Sequence, residues 1–298
     1  MLSEAIRRSR PTARRATFGT VLAACVFAAV SASAQGRLPR QASAPHVEVG
    51  LITSQATLTA GRDAWLGVRF QLEPEWHIYW VNPGDSGGPP TVLWEVPPGV
   101  TVGDFEWPAP QRIPLGPLVN YGYTGDVVLP FPVRATAAAA GQPVTLTASL
   151  RWLVCHDVCV PGRARLALTL PVTEADRGQV DAWNRAVVEA RGRVPKPAPS
   201  TWKTTARSAG DTFTVVVTLD RAAPSSAVFF PLEVSQVNES APQQVDASGR
   251  QLRLTLRKSD QLSALPRLLK GVLALPDGRA FVIQSPVSAA ASSAPGVR

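Results

Sequence analysis

LRWLVCHDVCVPG, residues 150–162, places two cysteines, Cys155 and Cys159, between two runs of alternating apolar residues. The runs extend from Val144 to Trp152 and from Ala164 to Leu170, and this alternation predicts two strands joined by a short turn. The cysteines then lie at the end of a β-hairpin, close enough to form a disulfide if their Cβ vectors converge.

This Cys-x3-Cys pair has two interpretations, and its spacing alone leaves both open. A cysteine pair in an exported protein is commonly structural. However, closing a loop of about five residues removes only about 2 kcal/mol of unfolded-state freedom, against nearly 5 for a loop of about 100. The functional alternative is a pair that exchanges electrons, for which a tight, exposed loop is suitable.

Residues 1–34 have the pattern of an export signal. An arginine-rich start precedes an apolar run, Phe18 to Val30, that is too short for a permanent span, and Ala32-Ser33-Ala34 offers a cleavage site. We expect a mature periplasmic chain that begins near Gln35. A Leu-Ala-Ala-Cys box ending at Cys25 resembles a lipoprotein site, but it ranks second because the residues that follow stay apolar.

Charge and composition narrow the classes of function. Five arginines and one glutamate in residues 1–34 account for +4 of the formal net charge of +8, so the remainder carries +4. No run of Lys or Arg with interleaved aromatic residues follows, which argues against nucleic-acid binding. No later stretch approaches 18 consecutive apolar residues. The 28 prolines and 22 glycines favour β structure with many turns.

The sequence predicts an all-β fold, with an immunoglobulin-like β-sandwich over residues 46–172 after a flexible lead-in at 35–45. Its clearest strand alternates apolar residues from Leu66 to Leu72. The turn-rich segment 82–90 is not expected to form regular structure. The predicted strands are 47–52, 66–72, 77–81, 91–96, 127–133 and the two arms of the cysteine hairpin.

A proline-rich segment, residues 107–123, lies between two of these strands and is long for a sandwich loop. Long ordered loops are often functional. The alternative is an excursion that only covers a sheet edge.

The pattern changes after the sandwich. Residues 173–200 read as a helix over 174–191, capped by Thr173, followed by a stiff proline-rich linker at 194–199. Five further strands predict a second, smaller β-sandwich-like domain over residues 201–286. It contains no cysteine or histidine, so we assign it a docking or positioning role. We expect residues 287–298 to be disordered.

Four segments in this order resemble the N-terminal periplasmic domain of DsbD-type thiol:disulfide interchange reductases. They are WHIYWVNPGDSG at 76–87, YGY at 121–123, LVC at 153–155 and CVP at 159–161. The resemblance covers roughly residues 45–172 and is greatest for the ScsB-like branch, named for suppression of copper sensitivity. The second β-domain is similar to the second module of that branch.

The resemblance implies that Cys155 and Cys159 are a redox pair in a protein-disulfide reductase component without a cofactor. Electrons would come from a membrane-embedded thiol reductase and pass to periplasmic thioredoxin-like or disulfide isomerase proteins. It also implies a cap loop that shields the pair, which we place at residues 108–120. Family reductases continue into membrane and thioredoxin-like domains, whereas this sequence ends after the second β-domain. We therefore expect either a separate membrane protein as the donor or a chain that has taken a binding role.

Four neighbouring residues are candidate modulators of thiol chemistry. A positive His156 would favour a thiolate, whereas Asp157 would repel it or accept a proton. Tyr121 and Tyr123 are candidates for shielding the sulfurs from oxidants. The alternatives are ordinary turn residues for the first two and ordinary core aromatics for the tyrosines. His77 is expected to be a core or edge residue.

Two other functional classes stay open. Cys155, His156 and Cys159 are possible ligands for a soft ion such as Cu(I), which would make this a copper-binding or copper-stress protein. A four-ligand zinc site would need His46 or His77 nearby. The last alternative is a non-enzymatic binding module with a structural disulfide. Hydrolase motifs and phosphate-binding glycine loops are absent from the sequence.

Overall fold

The computed structural model describes residues 38–176 and 178–289, which belong to one compact unit. The predicted signal peptide with Cys25, and most of the predicted tail, lie outside these residues. Almost all of the described structure is β, with one α-helix and one 3-10 turn among the described residues. No described helix is long and apolar enough to cross a membrane.

The first domain is an immunoglobulin-like β-sandwich, as predicted. One sheet has the order β1-β2-β4-β10-β7, and the other has the order β3-β12-β11-β5-β9-β8, with β6 also pairing with β11. The strands are β1 (Gln41–Ala44), β2 (Val47–Thr53), β3 (Leu58–Thr59), β4 (Asp63–Leu72), β5 (His77–Gly84), β6 (Thr91–Glu95), β7 (Val100–Val102), β8 (Gln111–Leu115), β9 (Leu118–Thr124), β10 (Asp126–Ala135), β11 (Pro143–Cys155) and β12 (Cys159–Thr173).

The core lies between these two sheets and follows from the alternation in the sequence. Every second residue of β4 from Leu66 to Leu72 is buried, because successive side chains of a strand point to opposite faces. From the facing sheet, Trp152 meets Phe70 edge to face, with ring centroids 5.8 Å apart. This contact joins the two sheets on the side of the cysteine hairpin.

The cysteine hairpin is longer than predicted. β11 and β12 pair without interruption from Pro143↔Pro171 to Cys155↔Cys159, and residues 156–158 form the turn. Trp152 lies opposite Gly162, and a Cβ on Gly162 would lie 2.2 Å from the indole ring. The ring therefore occupies space that only a glycine leaves free, which favours this register.

The proline-rich segment 107–123 is largely a second hairpin, β8–β9, and not an extended loop. Among the described strands β8 pairs with β9 alone and is an edge strand, where a proline such as Pro114 is tolerated. The turn uses Gly116, whose φ of 57° favours glycine. Sequence reasoning missed this hairpin because its prolines are typical of loops.

Two other segments are more regular than predicted. Gln41–Ala44, within the segment expected to be flexible, pairs with β2 as an edge strand. β5 continues through Asn82 to Gly84, into the segment expected to be irregular. Gly84 has a φ of 84°, and a Cβ there would lie 2.5 Å from the Val119 carbonyl oxygen. Glycine therefore lets this strand end continue beside β9.

The helix is shorter than the predicted span of 174–191. α1 covers Asn184–Gly192, while Thr173 belongs to β12 and caps no helix. Before α1, Val180 lies in the predicted helix but forms an isolated β-bridge with Gln55 instead. The helix packs on the first domain, where the Arg191 guanidinium lies 3.4 Å from the centre of the Trp65 ring.

The second domain is an eight-stranded sheet around its own apolar core. Its order is β16-β19-β20-β14-β15-β18-β17, with β13 pairing with β20, so part of the predicted linker belongs to the sheet. The last strand also includes the first three residues of the predicted disordered tail. The strands are β13 (Lys196–Pro197), β14 (Lys203–Ala209), β15 (Thr212–Thr218), β16 (Val228–Pro231), β17 (Gln244–Ser248), β18 (Gln251–Arg257), β19 (Leu268–Ala274) and β20 (Ala280–Ala289).

The two domains share buried contacts. Phe230 of the second domain packs edge to face on Trp80 and Tyr121 of the first, with centroids 6.2 and 5.1 Å away. The buried Asn82 amide donates a hydrogen bond of 2.8 Å to the Pro231 carbonyl oxygen. Aromatic packing and a buried hydrogen bond therefore both join the two domains, which are packed together and not merely tethered.

We expect Phe230→Ala to lower the free energy of unfolding by about 3–5 kcal/mol, because it leaves a cavity between the domains. Urea denaturation measures this loss. Val234→Ala is the control, since Val234 is 58% exposed and its truncation should cost less than about 0.5 kcal/mol. A loss below about 1 kcal/mol for Phe230→Ala would show that the shared contact contributes little.

Candidate redox site

Cys155 and Cys159 form a disulfide at the turn end of the β11–β12 hairpin, with Cα atoms 4.2 Å apart. The two residues differ in accessibility. Cys155 is fully buried, whereas Cys159 is exposed. A molecule in solution therefore meets Cys159 first.

The sheet explains this asymmetry. Cys155 lies between two strands, because it pairs with Cys159 on one side and with His77 of β5 on the other. Cys159 starts β12, whose only other described strand partner, β3, pairs at the far end with Val172 and Thr173. One sulfur thus belongs to the interior of the sheet and the other to its edge.

Tyr79 is the aromatic residue that contacts the exposed cysteine. Its hydroxyl oxygen lies 3.5 Å from the Cys159 Sγ atom, and the hydroxyl must donate because a disulfide sulfur carries no proton. Burial raises the pKa of Tyr79. The hydroxyl therefore stays protonated at neutral pH and remains a donor.

The segment 85–87 holds Tyr79 in place. Gly87 has a φ of 85°, and its backbone lies so close to the Tyr79 ring that a Cβ would be 2.0 Å from Cζ. Ser86 donates to the Asn120 Oδ1 atom from its backbone nitrogen and its hydroxyl, at 3.1 and 2.9 Å. Asp85 accepts hydrogen bonds from the Val119 nitrogen and the Ser240 hydroxyl. The loop is therefore fixed to both domains.

Our placement of a cap loop at residues 108–120 is wrong. Most of these residues belong to the β8–β9 hairpin, where Arg112 donates a hydrogen bond of 2.8 Å to the Glu239 carbonyl oxygen of the second domain. The loop that packs on the ring beside Cys159 is 85–87. Strand order alone misled the assignment, because both segments lie between β5 and β10.

Tyr121 and Tyr123 do not shield the sulfurs. β9 pairs with β5 so that Gly122 lies opposite Tyr79, which places both tyrosines on the other face of the sheet. The Tyr123 hydroxyl donates to the Pro108 carbonyl oxygen at 2.7 Å. Tyr121 instead packs on Phe230. Both are core aromatics, which was the alternative interpretation, and burial raises the pKa of each.

His156 and Asp157 lie in the turn between the cysteines, as predicted. The His156 Nδ1 atom lies 3.3 Å from the Asp157 carboxylate, and the imidazole tilts against the Trp76 ring at 5.9 Å. His46 stacks on the same tryptophan, with centroids 3.7 Å apart. His46, Trp76 and His156 thus form a row of rings that leads to the turn.

His77 contributes to the site more directly than predicted. It is buried beside Cys155, its ring meets that of Tyr79 edge to face at 5.2 Å, and its Nε2 atom has no hydrogen-bond partner among the described residues. Burial lowers the pKa of His77, and the nearby His156 lowers it further. His77 is therefore neutral at neutral pH.

The described residues contain no group of three or more His, Cys, Asp or Glu side chains arranged to hold a metal ion. His46 instead stacks on Trp76 and hydrogen-bonds to Glu73 at 2.7 Å. The copper alternative built on Cys155, His156 and Cys159 therefore gains no support from this geometry.

The first domain is thus an immunoglobulin-like sandwich in which a buried and an exposed cysteine form a disulfide at a hairpin turn. Residues 49–171 match the family model described as thiol:disulfide interchange protein DsbD, N-terminal. This region of the chain is a DsbD-type N-terminal domain. The match contains both cysteines, Tyr79 and the 85–87 loop.

Solved structures extend the likeness beyond this region. The N-terminal periplasmic domain of ScsB from Proteus mirabilis matches with a TM-score of 0.61 and 18% identity, over 83% of this chain and 97% of that chain. The fold is therefore ScsB-like across both β-domains. The human desmocollin-1 ectodomain matches at a TM-score of 0.22 and 10% identity, over 83% of this chain and 36% of that one. No curated protein matches the sequence.

We expect Gly87→Ala to displace Tyr79 from Cys159, because the new methyl group would overlap the ring at a left-handed backbone position. It should cost about 1–3 kcal/mol of stability and accelerate reduction of the disulfide by dithiothreitol. Gly88→Ala is the matched control, since its nearest neighbour is the Leu153 Cδ1 atom at 4.0 Å. Equal reduction rates in both variants would contradict the assigned role of the loop.

The lowered pKa of His77 predicts a pH-dependent stability. In the unfolded chain His77 titrates near 6.5, whereas the folded protein resists its protonation. The unfolded state thus binds more protons below about pH 6.5, and stability falls as pH drops from there towards the folded pKa. His77→Gln should reduce the difference in unfolding free energy between about pH 7.5 and pH 5. An unchanged difference would contradict the burial of a neutral imidazole.

Proposed function

We propose that this protein relays reducing equivalents in the periplasm through Cys155 and Cys159. The donor is a membrane-embedded thiol reductase, and the acceptors are periplasmic thioredoxin-like or disulfide isomerase proteins. The observation that carries the proposal is the pairing of an exposed Cys159 with a buried Cys155 at one hairpin turn. Membership of residues 49–171 in the DsbD N-terminal family supports thioredoxin-like partners in general, and a periplasmic location.

The exposed sulfur is the one that a partner attacks. A thiolate of the reduced donor attacks Cys159 Sγ, the Cys155–Cys159 bond breaks, and the Cys155 thiolate leaves and takes up a proton. A second donor thiol then attacks the donor sulfur of the mixed disulfide and releases Cys159. Two electrons and two protons have then moved to the cysteine pair, and the donor holds a disulfide. Delivery to an acceptor disulfide is the reverse sequence.

Tyr79 assists the steps in which Cys159 carries negative charge. A hydrogen bond to the charged form of a thiol stabilises that form, and the Tyr79 hydroxyl already lies 3.5 Å from Cys159 Sγ. The raised pKa of Tyr79 keeps this donor protonated over the range in which a thiol titrates. Tyr79 therefore favours the Cys159 thiolate as nucleophile and as leaving group.

The reduction potential of the pair tests the proposal. A value above about −250 mV, read by alkylation and mass in defined thiol buffers, lies in the range of exchange catalysts. A value below about −300 mV would mean a disulfide that resists reduction. The protein would then be a binding module with a structural disulfide.

Single-cysteine variants test the assigned asymmetry. We expect free Cys159 in Cys155→Ser to form a mixed disulfide with oxidised glutathione at least about tenfold faster than free Cys155 in Cys159→Ser. Mass spectrometry follows the adduct, and circular dichroism checks that both variants are folded. Equal rates in two folded variants would contradict the exposed sulfur as the point of attack.

A further inference from the structure

The outer face of the cysteine hairpin presents three successive cross-strand pairs. Odd-numbered residues of β11 and β12 near the turn lie on the face of the sheet opposite the buried Trp152 and Val154. Of these residues Cys155 is itself buried, on the side of the hairpin that pairs with His77. The outward pairs, starting at the turn, are Cys155↔Cys159, Leu153↔Pro161 and Arg151↔Arg163. The disulfide is thus followed by an apolar pair and then by two arginines.

The two arginines carry charge that nothing described compensates. Arg151 and Arg163 are exposed, lie directly opposite each other, and form no ion pair with any described residue. Like charges in this position repel each other across a ladder. The next arginine along β12, Arg165, is paired with Glu95 at 2.8 Å. The uncompensated pair therefore differs from its own neighbour on the same strand.

A groove connects these arginines with the residues beside the disulfide. It has a volume of about 690 Å³, and Leu153 and Pro161 contribute apolar surface to it. Gly88 and Pro89, which follow the loop at Tyr79, form one wall, while the arginine pair lines the groove farther from the turn. The groove thus begins near the exposed Cys159, has an apolar middle and ends at Arg151 and Arg163. This arrangement suits an extended peptide.

We propose that this groove binds an extended segment of the thiol-bearing partner, and that Arg151 and Arg163 bind an acidic side chain of that segment. The proposal rests on the proposed relay function and names the chemistry of its partner. The arginine pair is four residues along the strand from the cysteine pair, or about 14 Å at about 3.4 Å per residue. The acidic residue therefore lies about four residues from the reacting cysteine of the partner.

Charge complementarity is the reason for choosing an acidic partner segment. Two adjacent guanidinium groups offer bidentate hydrogen bonds to a carboxylate. A bound anion also lowers the repulsion between the two arginines, so binding gains from both effects. Such charges act mainly on the rate of association and on the choice of partner, and salt weakens them.

Thiol peptides activated as pyridyl disulfides provide the probe. In the chain carrying Cys155→Ser and Cys25→Ser, Cys159 is the one thiol left. Its thiolate attacks the peptide sulfur and releases pyridine-2-thione, whose absorbance gives the rate constant. The peptides are Cys-Gly-Gly-Gly-Glu and Cys-Gly-Gly-Gly-Lys, both with blocked ends. The reversed sequences, Glu-Gly-Gly-Gly-Cys and Lys-Gly-Gly-Gly-Cys, test the opposite chain direction. We expect at least one glutamate peptide to react about fivefold faster than its lysine counterpart at low salt, and the ratio to approach one in about 0.5 M salt.

Matched variants separate the arginine pair from the net charge of the protein. Adding Arg151→Glu and Arg163→Glu should abolish or reverse the preference for glutamate. Adding Arg207→Glu and Arg253→Glu makes the same change of charge at two exposed arginines of the second domain that form no ion pair with a described residue. This double variant should keep most of the preference. Equal effects of the two double variants, or no preference at the start, would overturn the proposal.

An uncharged reagent separates failure of this inference from failure of the proposed function. The pyridyl disulfide of 2-mercaptoethanol should react at a similar rate in all these proteins. If it reacts readily with Cys159 while the peptides show no discrimination, only the acidic-segment inference is wrong. If Cys159 reacts with this reagent no faster than the buried Cys155 does in Cys159→Ser, the relay function itself is contradicted.

Discussion

The register of the β11–β12 hairpin is the constraint on which the site depends. The Trp152 ring occupies the space that a side chain on residue 162 would need. The two strands therefore pack well in the register that places Trp152 opposite Gly162. A slip by one residue would turn every side chain of one strand to the other face. The same register makes Cys155 and Cys159 a directly opposed pair and places the Arg151↔Arg163 pair four residues farther along the ladder, on the same face.

β5 connects this hairpin to the rest of the molecule. At its start, His77 pairs with Cys155 and Tyr79 contacts Cys159. At its end, Trp80 and Asn82 contact the second domain. One strand of eight residues thus belongs to both the redox site and the domain interface. A shift of β5 at the domain interface would therefore also disturb the surroundings of the sulfurs.

Much of the first domain was predictable because its strands are half buried. The alternation from Leu66 to Leu72 and the two arms of the cysteine hairpin are local patterns, and local patterns can be read directly from the sequence. The paired cysteines and the turn residues His156 and Asp157 followed from the same hairpin. The ScsB-like resemblance rested on the order of such segments, and the fold agrees with it.

What the sequence did not disclose depends on distant contacts. Tyr79 and Tyr121 are both strand aromatics, and the pairing of β5 with β9 decides which one faces the sulfur. The β8–β9 hairpin is stabilised by partners such as Asp85 and Glu239, far away in the chain. The packing of the two domains through Phe230 likewise has no local signature.

The carboxylate of Asp85 joins the two domains at the loop beside Tyr79, through Val119 on one side and Ser240 on the other. The second domain, which has neither cysteine nor histidine, therefore helps to set the surroundings of a sulfur that it does not touch. Sequence similarity to the DsbD N-terminal family stops at residue 171, but the hydrogen bonds that fix the loop do not. The part of the chain that fixes the sulfur environment is thus longer than the segment that the family model covers.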